Sequence, residues 1–287
     1  MSQFTATIAK TSKFFVRNRA LLLGIVAWPL ALTAIMAETE LAAFSDTVKP
    51  LAIGDLTIAM VMFAIMLACI MNLPSSIARD REIGLLVKLR SMPVRPLIDT
   101  LGRLVAYLVF AFGVSGLVII LGLGLGAQFG GGATELLESV CFLLMAIASA
   151  AGIGLIMGSF IKSVQGTAFI GLAVSVILAY LSGIWIPYGE LSAPLQAFSR
   201  LFPISSASSS MFYLLLGQDV AGYDPLTMSQ VVTGVVLSAA LLVIGVTVYH
   251  RTSWRTDSVR TDHGLRGRLL RRRLGGRDPQ VTQPGTG

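Results

Sequence analysis

Ile77-Ala-Arg-Asp-Arg-Glu-Ile-Gly-Leu-Leu-Val-Lys-Leu-Arg-Ser-Met-Pro-Val-Arg-Pro96 is a charged segment set between two charge-free apolar runs. Its spacing predicts a helix over 77–93. Arg81, Gly84, Lys88 and Ser91 recur at helical intervals on one polar face, with Leu85, Leu89 and Met92 on an apolar face beside it. Pro93 ends such a helix, because it lacks an N–H and clashes with the preceding turn. Two readings stand: a basic loop that orients the chain, or a short helix on the membrane surface that offers itself to another protein.

The flanking runs explain why this segment stands out. Hydrophobic residues make up 54% of the 287 and charged ones 13%, with a mean hydropathy of +0.78. A span needs about 20 mostly apolar residues. The charge-free intervals predict six, over 20–37, 56–76, 104–127, 139–161, 164–186 and 230–249. The expected class is an all-α integral membrane protein with no separate soluble domain. Residues 1–255 form the transmembrane domain, and 256–287 a basic, disordered tail. Lys10, Lys13, Arg17 and Arg19 precede the first run as they would in a signal peptide. The run is nevertheless span-length and five more follow, so retention is expected.

Orientation follows from the cations. With the N-terminus inside and the spans alternating, all but two of the 22 basic residues fall in cytoplasmic segments, the exceptions being Lys49 and Arg200. Glu38, Glu40, Asp46, Asp55, Glu135, Glu138, Glu190, Asp219 and Asp224 fall on the external side. This asymmetry predicts a plasma-membrane protein with both termini cytoplasmic. It also accounts for the net charge of +7 without any nucleic-acid partner. The tail from Gly264 to Leu274 is suited to anionic lipid headgroups.

Two segments outside the spans carry structure of their own. Residues 4–17 put Phe4, Ile8 and Phe15 near one face and Lys10, Lys13 and Arg17 elsewhere, as in an interfacial helix. Residues 187–229 hold Pro187, Pro194, Pro203 and Pro225. Their apolar runs Leu201–Ile204 and Met211–Leu216 are separated by Ser205-Ser-Ala-Ser-Ser-Ser210. Neither run can cross a membrane, so the expectation is an external re-entrant hairpin packed on the bundle.

Other chemistries find little support. The span cores lack Asp, Glu, Lys, Arg and His, which argues against an ion-coupled carrier. Gly113-Val-Ser115-Gly116 resembles a nucleophilic serine motif, but His250 and His263 lie far from its depth, so Ser115 reads as a packing residue. Cys69 and Cys141 fall at different depths and form neither a disulfide nor a metal site. Gly122-x-Gly124-x-Gly126 and Gly154-x-x-x-Gly158 permit close helix approach, within one subunit or at a dimer seam. Met60, Met62, Phe63, Met66 and Met71 give span two a soft apolar surface that suits either packing or varied hydrophobic ligands.

Arg81-Glu82-x-Gly84 followed by Met92-Pro93-Val94 resembles the loop signature of ABC-2 type transporter permeases. Gly183-Ile-Trp185-Ile-Pro187, Leu195-Gln196, Pro203-Ile204 and Leu214-Leu-Leu-Gly217 match the same family in order. The pattern is similar to prokaryotic drug-export permeases of the daunorubicin-resistance type. It departs from them at Leu85, Leu86 and Val87, where Thr and Glu are frequent. The resemblance implies a permease subunit paired with a second copy or paralogue and with a separate ATP-binding subunit that carries ATP and Mg. It implies that Arg79, Arg81, Glu82, Gly84, Lys88 and Pro93 belong to a coupling helix docked on that ATPase. Met62, Phe63 and Met66 would line the substrate path, and Trp185, Pro187 and Pro203 would belong to the external hairpin. No lysine here follows a glycine, so the chain lacks the Gly-Lys pair of a P-loop and ATP hydrolysis falls to the partner. The expected cargo is a hydrophobic or amphipathic molecule. The alternatives are a lipid-linked cell-envelope glycan or, in another class, a carrier not driven by ATP.

Overall fold

The computed structural model describes residues 3–17, 19–39, 45, 48–91, 96–186, 188–217 and 223–255. Pro93, Pro187 and the tail 256–287 lie outside them. Among the described residues every regular element is helical. α1 (Gln3–Arg17) precedes α2 (Arg19–Thr39), and α3 (Lys49–Met66) runs through a π-helical segment (Leu67–Asn72) into α4 (Leu73–Glu82). There follow α5 (Leu85–Ser91), α6 (Pro96–Gly124), α7 (Ala133–Phe160), α8 (Val164–Leu181), α9 (Ala193–Leu201), α10 (Pro203–Leu216) and α11 (Met228–Arg255). Five helices are long and apolar enough to cross a membrane: Lys49–Glu82, Pro96–Gly124, Ala133–Phe160, Val164–Leu181 and Met228–Ser253. The first expected span corresponds to α2, whose apolar stretch Val26–Thr39 is shorter.

The helix from Lys49 to Glu82 is the axis of the molecule. Its apolar window is 94% buried, whereas that of the last span is only 17% buried. Burial on every side requires apolar residues all round, which is what Ile58 to Leu73 supply. Met62, Phe63 and Met66 have no accessible surface at all. In this conformation they belong to the packed core of the chain.

The π segment has a cause in the sequence. Pro74 has no N–H to offer the carbonyl of Ile70 and its ring crowds that carbonyl, so the turn before it widens. Asn72 Nδ2 donates to the Leu67 carbonyl at 2.7 Å, and Tyr107 OH donates to the Asn72 carbonyl at 2.9 Å. Neighbouring helices make room for the wider girth with glycines. A methyl group on Gly154 of α7 would collide with the Cys69 carbonyl oxygen, and one on Gly171 of α8 would lie 2.6 Å from Met71 Cα. Gly158 sits closely over Pro74 and Ile77. The Gly154–Gly158 pair thus packs helices within the subunit, while a methyl on Gly124 would meet nothing within 4 Å.

The segment before the last span is a pair of short helices, as expected, but its break lies elsewhere. The chain turns at Phe202, Pro203 opens α10, and Ser205–Ser210 form the buried middle of that helix instead of a spacer between two apolar runs. Small side chains let α10 lie against α7, and Ser210 satisfies its own hydroxyl on the Ser206 carbonyl. α8 ends in a Schellman turn. Gly183 takes φ +74°, Ile184 N donates to the Ala179 carbonyl, and Trp185 is thrown back to pack against Phe63, tilted, and Tyr180, edge-on, at ring distances of 4.8 and 4.9 Å. Trp185 is thereby tied to the axial helix and does not stand out in the hairpin.

Candidate functional site

The charged segment does not form the single helix expected over 77–93. The axial helix runs on to Glu82, where Ile83 N and Gly84 N fold back onto the Arg79 and Arg81 carbonyls. Gly84 takes φ +68°, a conformation that L side chains resist, so the helix stops there and α5 starts anew. Arg81, Gly84 and Lys88 therefore share no face. Space beside Gly84 is open, with no atom within 4 Å of where a methyl group would sit, so its conformation and not crowding within the chain accounts for the glycine.

Arg81, half-buried, and Glu82, exposed, both bond to neighbouring helices. Arg81 Nη2 donates to Ser253 Oγ at 2.7 Å and to the Ser159 carbonyl at 3.4 Å, and Nη1 donates to the Ile161 carbonyl at 3.4 Å. One guanidinium thus ties α4 to the ends of α7 and α11. Glu82 Oε1 accepts from Val164 N at 3.0 Å, which places a negative charge at the first turn of α8, beside the Ser163 cap. Arg79, Ile83 and Lys88 lie on the outside, Ile83 being 60% exposed, while Leu86 is buried.

Behind this turn lies a group that sequence reasoning missed. Arg103 of α6 is only 2% exposed and donates to Asp80 Oδ2 at 2.6 Å and to Ser76 Oγ at 3.0 Å. Asp99, one turn earlier on α6, lies 3.8 Å from the same guanidinium. α1 docks onto the pair: Lys10 Nζ donates to Asp80 Oδ2 at 2.8 Å, and Thr7 Oγ1 donates to Asp99 Oδ1 at 3.2 Å. Thr7, Lys10 and Thr11 make the bundle-facing stripe of α1, at i, i+3 and i+4. The side chains of Phe4, Lys13, Phe15 and Arg17 lie outside the described ones. Two cations and two carboxylates on α1, α4 and α6 thus offset one another where few could be hydrated. Buried charges persist only with such partners. Counting Arg103 as a topological charge hid it. The signal available was Asp99 four residues before Arg103 on one face of a span, with Asp80 four residues after Ser76.

The turn at Ile83 is thus linked to α7, α8 and α11 through Arg81 and Glu82, and to α6 and α1 through Asp80. The family model of the ABC-2 type transporters matches residues 2–216, so the chain belongs to that family and is a transmembrane permease component of an ABC transporter. Members of this family work with an ATP-binding subunit. The match ends just before the last span. No curated protein matches the chain.

Proposed function

We propose that this chain is the permease subunit of an ATP-driven exporter, sitting in the plasma membrane with both termini in the cytoplasm. It pairs with a second permease and with separate ATP-binding subunits, which hold ATP and Mg. The cargo is a hydrophobic or amphipathic molecule. Because Met62, Phe63 and Met66 are sealed within one subunit, the path runs between two permeases and not through this core.

The observation that carries this reading is the exposed turn at the end of the axial helix. Ile83 and Lys88 face outward there, while Asp80, Arg81 and Glu82 behind them are bonded to α1, α6, α8 and α11. A docked element transmits ATP-driven motion only if it makes different contacts in the two states. An outward turn bolted rigidly to the spans is suited to that task. Replacing Ile83 with Asp and Lys88 with Glu should leave the permease folded and as heat-stable as the wild type. ATPase co-purification and stimulation of its turnover should drop about tenfold or more. Unchanged ATPase association and unchanged export in that variant would remove the turn from the coupling path.

A further inference from the structure

At the end opposite Asp80, a pocket of about 370 Å³ opens where α9 crosses the first turn of α11. Tyr188, Gln196, Arg200, Leu201 and Gln230 line it. Arg200 is the only cation on its wall, and by the sequence topology it is one of two basic residues on this side of the membrane. It stands against the charge bias that orients the rest of the chain.

The guanidinium is held firmly by one edge. Its Nε donates to Tyr188 OH at 2.5 Å. Its carbon lies 5.4 Å from the Tyr188 ring centre and 5.1 Å from that of Tyr223, and the two rings are 4.5 Å apart. Such contacts immobilise the side chain without neutralising it. Among the described residues no carboxylate pairs with Arg200, and its two terminal nitrogens make no hydrogen bond. Gln196 is fixed as well, because its Nε2 donates to the Tyr188 and Leu191 carbonyls at 3.3 and 3.0 Å. Its amide oxygen is left as an acceptor. Leu201, 58% exposed, adds an apolar wall.

Arg200 is exposed at the mouth of the pocket. Its inward edge is bonded to Tyr188, and its paired N–H groups, which bond to nothing among the described residues, have the geometry to match two oxygens of a carboxylate or phosphate. The volume lies near the lower end of small-ligand sites and suits a headgroup more than a whole amphiphile. We propose that this pocket binds the anionic headgroup, phosphate or carboxylate, of an amphiphile whose apolar part lies along Leu201. That chemistry is shared by a bilayer lipid and by a transported molecule. The proposal does not depend on the coupling turn.

The test uses the full chain in neutral detergent, with dodecyl phosphate and phosphatidylglycerol as probes in native mass spectrometry. Arg200→Gln should weaken dodecyl phosphate binding about tenfold, and Arg200→Lys by less, since it keeps the charge but loses the fork. Leu201→Trp, which fills the pocket and leaves the charge in place, should weaken it as much as Arg200→Gln and guards against misfolding of the arginine variant. Phosphatidylglycerol that displaces dodecyl phosphate from the wild type, but not from Arg200→Gln, assigns the site to lipid. Failure of phosphatidylglycerol to displace it assigns the site to transported anions. Equal dodecyl phosphate binding by wild type, Arg200→Gln and Leu201→Trp would overturn the proposal.

Discussion

Two stretches of the axial helix are held by different physics. Around Asp80 the neighbours are attached through charge: Arg103, Lys10, Arg81 and Glu82 each reach a group on another helix. Around the π segment and α10 they are attached through the absence of side chains. Gly154, Gly171 and Gly158 admit backbone to within contact distance, and Ser205 and Ser210 of α10 bond to a near neighbour or within their own helix. In lipid, apolar burial gives helices little reason to choose one another, so fit and hydrogen bonds must specify the contact. At the charged end, ion pairs add direction. The contrast separates contacts specified by close fit from contacts specified by charge.

The largest effect should come from leaving one charge of the buried cluster alone. Arg103→Met leaves Asp99 without a cation and Asp80 with Lys10 alone, and loss of one partner of a buried pair typically costs about 3–5 kcal/mol. Thermal unfolding in detergent should show a marked loss of stability and release of α1, read as protease access near Lys10. Pairing Asp80→Leu with Arg103→Met should recover part of the loss. No recovery would mean that the cluster's geometry, not its charge balance, holds this end.

An intermediate effect is expected from the glycine contacts. Gly154→Ala drives a methyl into the Cys69 carbonyl, and overpacking of a close core contact costs about 1–3 kcal/mol. The melting temperature should fall without any dependence on salt. A salt-dependent loss would blur the division between the two stretches.

Gly84 should give the smallest effect and the sharpest distinction. A residue that tolerates positive φ should serve there better than one that does not, so Gly84→Asn should preserve coupling where Gly84→Val, costing about 1–2 kcal/mol more in backbone strain, reduces it. Coupling is read as stimulation of the partner ATPase. If both variants abolish stimulation while both remain folded, the glycine serves close approach by a partner, as its place in the signature suggests.

Much of the frame was legible from hydropathy alone, since a span must be apolar over its length and nothing in the charge-free runs competes with that. The end of the charged helix was not. Periodicity cannot tell that Gly84 will adopt a left-handed turn, and a helical wheel drawn through Gly84 puts Arg81 and Lys88 on a face that does not exist. Arg103 was hidden for a related reason: a cation near a span end satisfies the orientation rule whether it faces water or a carboxylate. The serine run of α10 misled in the opposite sense, because serine reads as loop in water and as close packing in a membrane. Ile83, set within the charges, carried no periodic signal, and its outward position emerges only once the turn is known.

The widened turn at Leu67–Asn72 has a consequence for the whole chain. A π turn holds one residue more than the α-helix it interrupts, and each residue turns an α-helix by about 100°. The two halves of the axial helix are thus spliced with an angular offset, and the direction in which Asp80 and Arg81 point is indexed to a bulge several turns away. Pro74 makes the offset obligatory, and Gly154 and Gly171 accommodate it. A drift in sequence that smoothed this bulge into regular helix would leave every span as apolar as before. Yet it would swing the charged end out of register with its partners, a fault invisible to hydropathy.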